Sequence, residues 1–66
     1  MERRYRVKHP FQGTVVGNGA DRHRIFQRGE SLWWDEDNLS GPVVFASDNV
    51  RFEADRPEFL RSIEPF

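Results

Sequence analysis

Two adjacent tryptophans, Trp33 and Trp34, lie in the segment SLWWD at residues 31–35. This short apolar segment, rich in aromatic side chains, is typical of a β-strand. Successive side chains of a strand point to opposite faces, so the two indoles cannot both enter the same core. Because Leu32 shares a face with Trp34, we expect Leu32 and Trp34 to point inward and Trp33 to point outward.

The outward Trp33 predicts an aromatic patch on the surface of the sheet. We expect Phe45, from the segment VVFAS at residues 43–47, to lie on the same side and to pair with Trp33 across neighbouring strands. Arg51 of the following strand would flank this pair. The predicted protein-binding residues are therefore Trp33, Phe45 and Arg51. The alternative is that a C-terminal helix covers Trp33 and makes the patch a second small core.

The length of the chain limits how its core is stabilised. With 66 residues it forms one domain, residues 1–66. A domain of this size buries only about 60% of the surface that its unfolded chain exposes. There is no cysteine for a disulfide, and two histidines are too few for a zinc site. We therefore expect a core of packed apolar and aromatic side chains, with no metal and no other cofactor.

Alternating apolar and polar residues predict several strands. Tyr5 and Val7 alternate with basic residues in RRYRVKH, which is the period of a half-buried strand. In VRFEA, Val50, Phe52 and Ala54 share one face, and we expect Val50 and Phe52 in the core. The short turn DN separates VVFAS from VRFEA. The fold class predicted from this pattern is mainly β, with four to five short antiparallel strands.

A glycine-rich stretch interrupts this pattern after the first strand. Three glycines and Asn18 fall within seven residues of QGTVVGNGADRHRIF. Glycine and asparagine accept backbone conformations that other residues avoid, so such clusters mark turns and loops. We expect a long irregular loop or a loose hairpin, with its tip near Asn18.

The C-terminal residues have the signals of a short helix. In DRPEFLRSIEPF, Asp55 is placed as the N-cap, Pro57 lies in the first turn and Glu58 completes a start that resembles a capping box. Pro65 prevents the helix from continuing. A helix this short does not persist alone in water, so its apolar side, with Phe59 on it, must dock on the sheet or on a partner.

Two stretches of the chain resemble an SH3-like small barrel. RYRVKHPF, the glycine-rich stretch and IFQRGESLWW match the family's order of first strand, long loop, Gly-acid turn and next strand. The residues that carry the resemblance best are Phe26, Gly29, Glu30 and Leu32. The resemblance implies a small antiparallel barrel of four to five strands with a short C-terminal helix. It also implies a role in binding or assembly, as in SH3-like domains of bacteria and phages.

The sequence differs from the signalling SH3 domains that bind proline-rich peptides. Those domains have an aromatic-rich first strand and an acidic long loop, whereas this chain has YRVKHPF and one acid in the loop. Its tryptophan pair also follows the Gly-Glu turn directly. We therefore do not expect recognition of PxxP peptides.

Charge is unevenly distributed along the chain. Residues 1–28 carry seven basic and two acidic side chains, whereas residues 29–66 carry three basic and nine acidic ones. One interpretation is a basic surface for a phosphate backbone, and the other is a set of ion pairs between N-terminal and C-terminal strands. Because the net charge is −1, nucleic-acid binding is kept as the alternative function. Its candidate residues are Arg4, Arg6, Lys8, Arg22 and Arg24.

The sequence predicts no catalytic machinery. No nucleophile or oxyanion arrangement accompanies His9 or His23, and GNG lacks the Lys-Ser/Thr of a phosphate-binding loop. We expect a non-catalytic protein-binding or assembly module, which binds a protein partner or a second copy of itself and has no small-molecule substrate. No apolar run approaches the length of a membrane span. Nine Arg against one Lys is typical of GC-rich bacterial and phage genomes, so we expect a cytoplasmic bacterial or phage protein.

Overall fold

The computed structural model describes residues 2–17, 22–36 and 41–66. Within these ranges the chain is mainly β, with a single short helix, as the sequence predicts. The elements are β1 (Glu2–Val7), β2 (Phe11–Val15), β3 (His23–Phe26), β4 (Ser31–Asp35), β5 (Val43–Ser47), β6 (Val50–Ala54), α1 (Arg56–Ser62) and β7 (Ile63–Pro65).

The described strands form one antiparallel sheet in the order β3-β2-β6-β5-β4-β1-β7. The predictions of four to five strands and of a barrel are wrong, because the described residues contain seven strands and the sheet that these form is not closed. Two of the additional strands come from the glycine-rich stretch, and the third is the three-residue β7. Strand β7 has no alternating pattern long enough to be recognised in the sequence.

The glycine-rich stretch is a hairpin made by β2 and β3, in agreement with the second of the two predicted forms. Phe11 pairs with Phe26, and their rings stack with centroids 5.2 Å apart. Gly13 is buried beside them, and a Cβ atom at this position would lie only 2.8 Å from the Phe26 ring. Glycine at position 13 therefore allows the hairpin to pack on the core. The predicted tip at Asn18 lies outside the described residues.

The core is a cluster of aromatic and aliphatic side chains on one side of the sheet. Leu32, Trp34, Phe52 and Phe59 are buried in it, as predicted. The expectation for Val50 is wrong, because its side chain is 39% exposed. Val50 is the first residue of β6, directly after the two-residue turn, and it lies opposite Ser47 at the end of the strand pair. The buried apolar residues are Tyr5, Val7, Phe11, Phe26, Leu32, Trp34, Val43, Phe45, Phe52, Ala54, Phe59 and Ile63.

Helix α1 begins where the sequence predicts, but it ends at Ser62, before the stop expected from Pro65. The Asp55 carboxylate accepts a hydrogen bond from the Glu58 backbone N–H at 3.5 Å, and a proline occupies the first turn. Phe59 enters the main core, with its ring centroid 5.1 Å from those of both Trp34 and Phe45. The helix stops at Ser62, and the chain then continues as β7 along β1. Among the described residues, no helix has the length and apolarity needed to cross a membrane.

Candidate functional site

Trp33 lies in the middle of a row of side chains that crosses four strands. The strand register places Arg4 of β1 opposite Trp33 of β4, Trp33 opposite Ala46 of β5, and Ala46 opposite Arg51 of β6. Neighbouring strands lie about 4.8 Å apart, so the Cα atoms of Trp33 and Arg51 are separated by roughly 10 Å. The side chain of Trp33 is 46% exposed, which confirms its outward orientation.

Phe45 does not belong to this surface, and its predicted pairing with Trp33 is wrong. Phe45 lies opposite Trp34 in the register of β4 and β5, so both rings point into the core. Its ring contacts those of Phe52 and Phe59. The buried positions of β5 alternate through Val43 and Phe45, but VVFAS begins with four apolar residues in a row and does not show this alternation.

Helix α1 does not cover Trp33. Its buried residue Phe59 packs against Trp34, which points to the opposite face of the sheet from Trp33. Ile63, the first residue after the helix, also joins the main core, whereas Leu60 is exposed. The second small core considered as the alternative is therefore absent among the described residues, and Trp33 remains on the surface.

Charges of opposite sign lie in two neighbouring rows on this outer face. Three acids lie two positions further along the same strands, all on the same side of the first row. They are Glu2 beside Arg4, Asp35 beside Trp33 and Glu53 beside Arg51. Glu2 pairs with Asp35, and Glu53 pairs with Val44. We define the Trp33 face as these two rows, which consist of Arg4, Trp33, Ala46 and Arg51 together with Glu2, Asp35 and Glu53.

The Trp33 face has a depression on one side and an aromatic ring on the other. The depression has a volume of about 540 Å³ and is lined by Trp33, Ala46 and the turn between β5 and β6. At the other side, the guanidinium of Arg4 lies 3.8 Å from the ring centroid of Phe66. Sequence reasoning missed Phe66, because its contact depends on the pairing of β7 with β1.

The five basic residues predicted for nucleic-acid binding do not form one strand surface. Arg4, Arg6 and Lys8 alternate along β1 and its end, but Arg22 and Arg24 lie on or beside β3, with four strands between β3 and β1 in the sheet order. Arg6 forms an ion pair with Glu64 at 3.0 Å.

Arg24 has a structural role of its own. Its guanidinium lies 4.6 Å from the ring centroid of Phe26 and forms ion pairs with both Glu30 and Asp48. Arg24 thus links edge strand β3 to the turn before β4 and to the turn between β5 and β6. Together with the Arg6 pair, the Asp48 contact joins the basic N-terminal part of the chain to its acidic C-terminal part, as the second interpretation of the charge pattern predicts.

The pKa of the Tyr5 side chain departs from its ordinary value. The Tyr5 hydroxyl donates a hydrogen bond to the Glu36 carboxylate at the end of β4. This hydrogen bond, burial and the negative charge of Glu36 raise the pKa of Tyr5 above its ordinary value of 10.0, while Arg3 acts in the opposite direction. Sequence reasoning missed this contact, which connects two strands far apart in the chain.

Comparisons with protein family models, with curated proteins and with solved structures give no match to this chain. Among the described residues, no group of three or more His, Cys, Asp or Glu side chains is arranged to hold a metal ion. The feature that most clearly offers a contact surface is therefore the Trp33 face.

Proposed function

We propose that this protein is a non-catalytic protein-binding or assembly module whose contact surface is the Trp33 face. The observation that carries the proposal is the exposure of Trp33, 46%, in the interior of a seven-stranded sheet rather than at its edge. Tryptophan is enriched among the residues that dominate the binding energy of interfaces, because its burial removes a large apolar area from water.

We also propose that the domain is of the SH3-like type, with the open seven-stranded sheet of the described residues in place of a closed barrel. In support, the elements follow the order expected from the resemblance: first strand β1, a long hairpin, the turn at Gly29 and Glu30, and strand β4 with Leu32 inward. Gly29 has a φ of +96°, a conformation that favours glycine. The Glu30 carboxylate accepts a hydrogen bond from the Gln27 backbone N–H at 2.6 Å and stabilises the turn.

The occupant that we propose for the Trp33 face is a second copy of the chain. A two-fold axis through such a face brings the same patch of both copies together, so the patch must complement itself. The neighbouring rows meet this requirement, because the arginines of one copy, Arg4 and Arg51, would face Glu2 and Glu53 of the other. Ala46, beside Trp33, leaves space in which the indole of the other copy would pack.

Sedimentation equilibrium over about two decades of protein concentration tests this proposal. The wild-type chain is expected to self-associate, and Trp33→Ala is expected to remain monomeric with an unchanged fold. Ile25→Ala is the matched control, because Ile25 is an apolar strand residue with a similar exposure of 49%, outside the Trp33 face. This variant should associate as the wild type does.

Two results would overturn the assembly proposal. The first is a wild-type chain that stays monomeric at every concentration, and the second is an equal loss of association in Trp33→Ala and Ile25→Ala. A monomer that is retained on heparin at low salt, with retention lost when Arg4 and Arg6 are changed to Glu, would favour nucleic-acid binding instead.

A further inference from the structure

A second surface feature lies at the end of β1, apart from the Trp33 row. It is a depression with a volume of about 710 Å³, formed where the bend after β1, the turn before β4 and strand β7 meet. Four of its lining side chains, Arg6, Lys8, His9 and Arg28, are basic or can become so, and one, Glu64, is acidic. We call this feature the basic depression.

The charges of the basic depression are not balanced. Glu64 forms an ion pair with Arg6 at 3.0 Å, so these two groups neutralise each other. Lys8 and Arg28 form no ion pair with any residue that the structure describes, and both side chains are exposed. The depression therefore keeps two positive charges on a chain whose net charge is −1.

Backbone hydrogen bonds fix the segments that carry these charges. The Gly29 N–H donates to the Val7 carbonyl at 2.9 Å, and the Val7 N–H donates to the Glu30 carbonyl at 2.8 Å, which ties the turn that bears Arg28 to the end of β1. On the other side, the Lys8 N–H donates to the Ser62 carbonyl at 2.7 Å. The backbone positions that carry the two cations are thus fixed around one concave surface before any ligand arrives, so binding has to order only the side chains.

We propose that the basic depression binds a phosphate-type oxyanion. The planar guanidinium of Arg28 matches two oxygens of a phosphoryl group, and the Lys8 ammonium supplies a second positive charge. His9 adds a nitrogen that can donate a hydrogen bond. The proposal is independent of the Trp33 face, since Lys8, His9 and Arg28 do not belong to it. Free phosphate and a phosphodiester chain both carry such a group, and the two sources share this chemistry.

Titration of inorganic phosphate into ¹⁵N-labelled protein, followed by NMR at constant ionic strength, tests the proposal. The amide signals of Lys8, His9, Arg28 and Gly29 are expected to shift together and to saturate. For a solvent-exposed site the dissociation constant should be on the order of 1 mM. The double variant Lys8→Gln and Arg28→Gln should weaken binding by about tenfold or more, since it removes both uncompensated charges.

The control is the double variant Arg22→Gln and Arg61→Gln. It removes the same net charge from two exposed arginines outside the basic depression, so it should keep the phosphate affinity of the wild type within about twofold. Shifts that do not saturate in the wild type would overturn the proposal. An equal loss of affinity in the two double variants would also overturn it, because binding would then follow net charge alone.

A short oligothymidylate, titrated in the same way, distinguishes the source of the phosphoryl group. Tighter binding than inorganic phosphate by about tenfold or more, with shifts that extend along β1 to Arg6 and Arg4, identifies a phosphodiester chain. An affinity per phosphate equal to that of the inorganic anion, with shifts confined to the basic depression, identifies free phosphate. Both results support the oxyanion site.

Discussion

Trp33 lies directly opposite Ala46 in the pairing of β4 and β5, so on this side the indole on the outer face has only a methyl group beside it. One residue further along the same two strands, Trp34 lies opposite Phe45, and both of these rings are buried. The two adjacent tryptophans thus have different surroundings, and their substitution should have different consequences.

The first prediction compares Trp34→Ala with Trp33→Ala. Trp34→Ala removes a core ring that contacts Tyr5 and Phe59, and should cost about 3–5 kcal/mol in the free energy of unfolding. Trp33→Ala should cost about 1 kcal/mol or less, because half-exposed surface side chains contribute little to stability. Thermal or urea unfolding of the monomers measures both changes. Equal, large losses from the two substitutions would show that Trp33 also has a structural role.

The second prediction concerns Phe45. Its ring contacts Phe11, Phe26, Phe52 and Phe59, so Phe45→Ala should cost about 3–5 kcal/mol, a large part of the stability of a small domain. Leu60→Ala is the control, since Leu60 is exposed on α1 and should tolerate the change. Urea unfolding distinguishes the two variants. A Phe45→Ala protein that unfolds at the same urea concentration as the wild type would contradict the inward placement.

Local sequence patterns predicted those parts of the fold that are determined locally. The alternation in β4 predicted the orientation of Leu32, Trp33 and Trp34, and the N-cap Asp55 predicted the start of α1. These features depend on side chains within a few positions of each other, and therefore they can be recognised without knowledge of the neighbouring strands.

The remaining features depend on contacts between distant segments. Phe45 was assigned to the wrong face because the choice rested on which residue of β5 would pair with Trp33, and the strand register decides this. Arg24 contacts Asp48, and Arg4 contacts Phe66. In each of these contacts the two residues are 24 or more positions apart in the sequence. The short β7 forms because it pairs with β1, and no pattern of its own predicts it.

The third prediction follows from the charge rows of the Trp33 face and rests on the proposed self-association. Arg51→Glu places an acid where the second copy presents acids, so association should weaken by about fivefold or more. The double variant Arg51→Glu and Glu53→Arg exchanges the two charges and should recover part of the affinity. Sedimentation equilibrium measures both variants. A double variant that associates no better than Arg51→Glu would contradict the proposed pairing of the rows.

The fourth prediction separates the two ion pairs of Arg24. The Glu30 carboxylate is 29% exposed and the Asp48 carboxylate is 81% exposed, so water screens the second pair more strongly. Double-mutant cycles with Arg24→Met should give a coupling energy of about 0.5–1 kcal/mol for Glu30→Gln and close to zero for Asp48→Asn. A larger coupling to Asp48 than to Glu30 would show that exposure does not decide which pair stabilises the fold.

The last prediction uses the raised pKa of Tyr5. A phenol whose pKa is higher in the folded chain than in the unfolded chain is stabilised in its neutral form by folding. The stability that it contributes is fully present below pH 10, the unfolded pKa, and is lost as the pH rises through the higher folded pKa. Above this point a phenolate would lie beside the Glu36 carboxylate, and the two negative charges would repel each other.

Tyr5→Phe tests this directly, because it keeps the ring that packs on Trp34 and removes only the hydroxyl. At neutral pH the variant should be less stable than the wild type by about 0.5–1.5 kcal/mol, the usual net value of a hydrogen bond. This difference should shrink as the pH rises above 10. Urea unfolding at a series of pH values measures it, and Tyr5 is the single tyrosine of the chain, so the absorbance of tyrosinate reports its titration alone. A stability difference that stays constant through the titration of Tyr5 would contradict the hydrogen bond to Glu36 as the cause of the pKa shift.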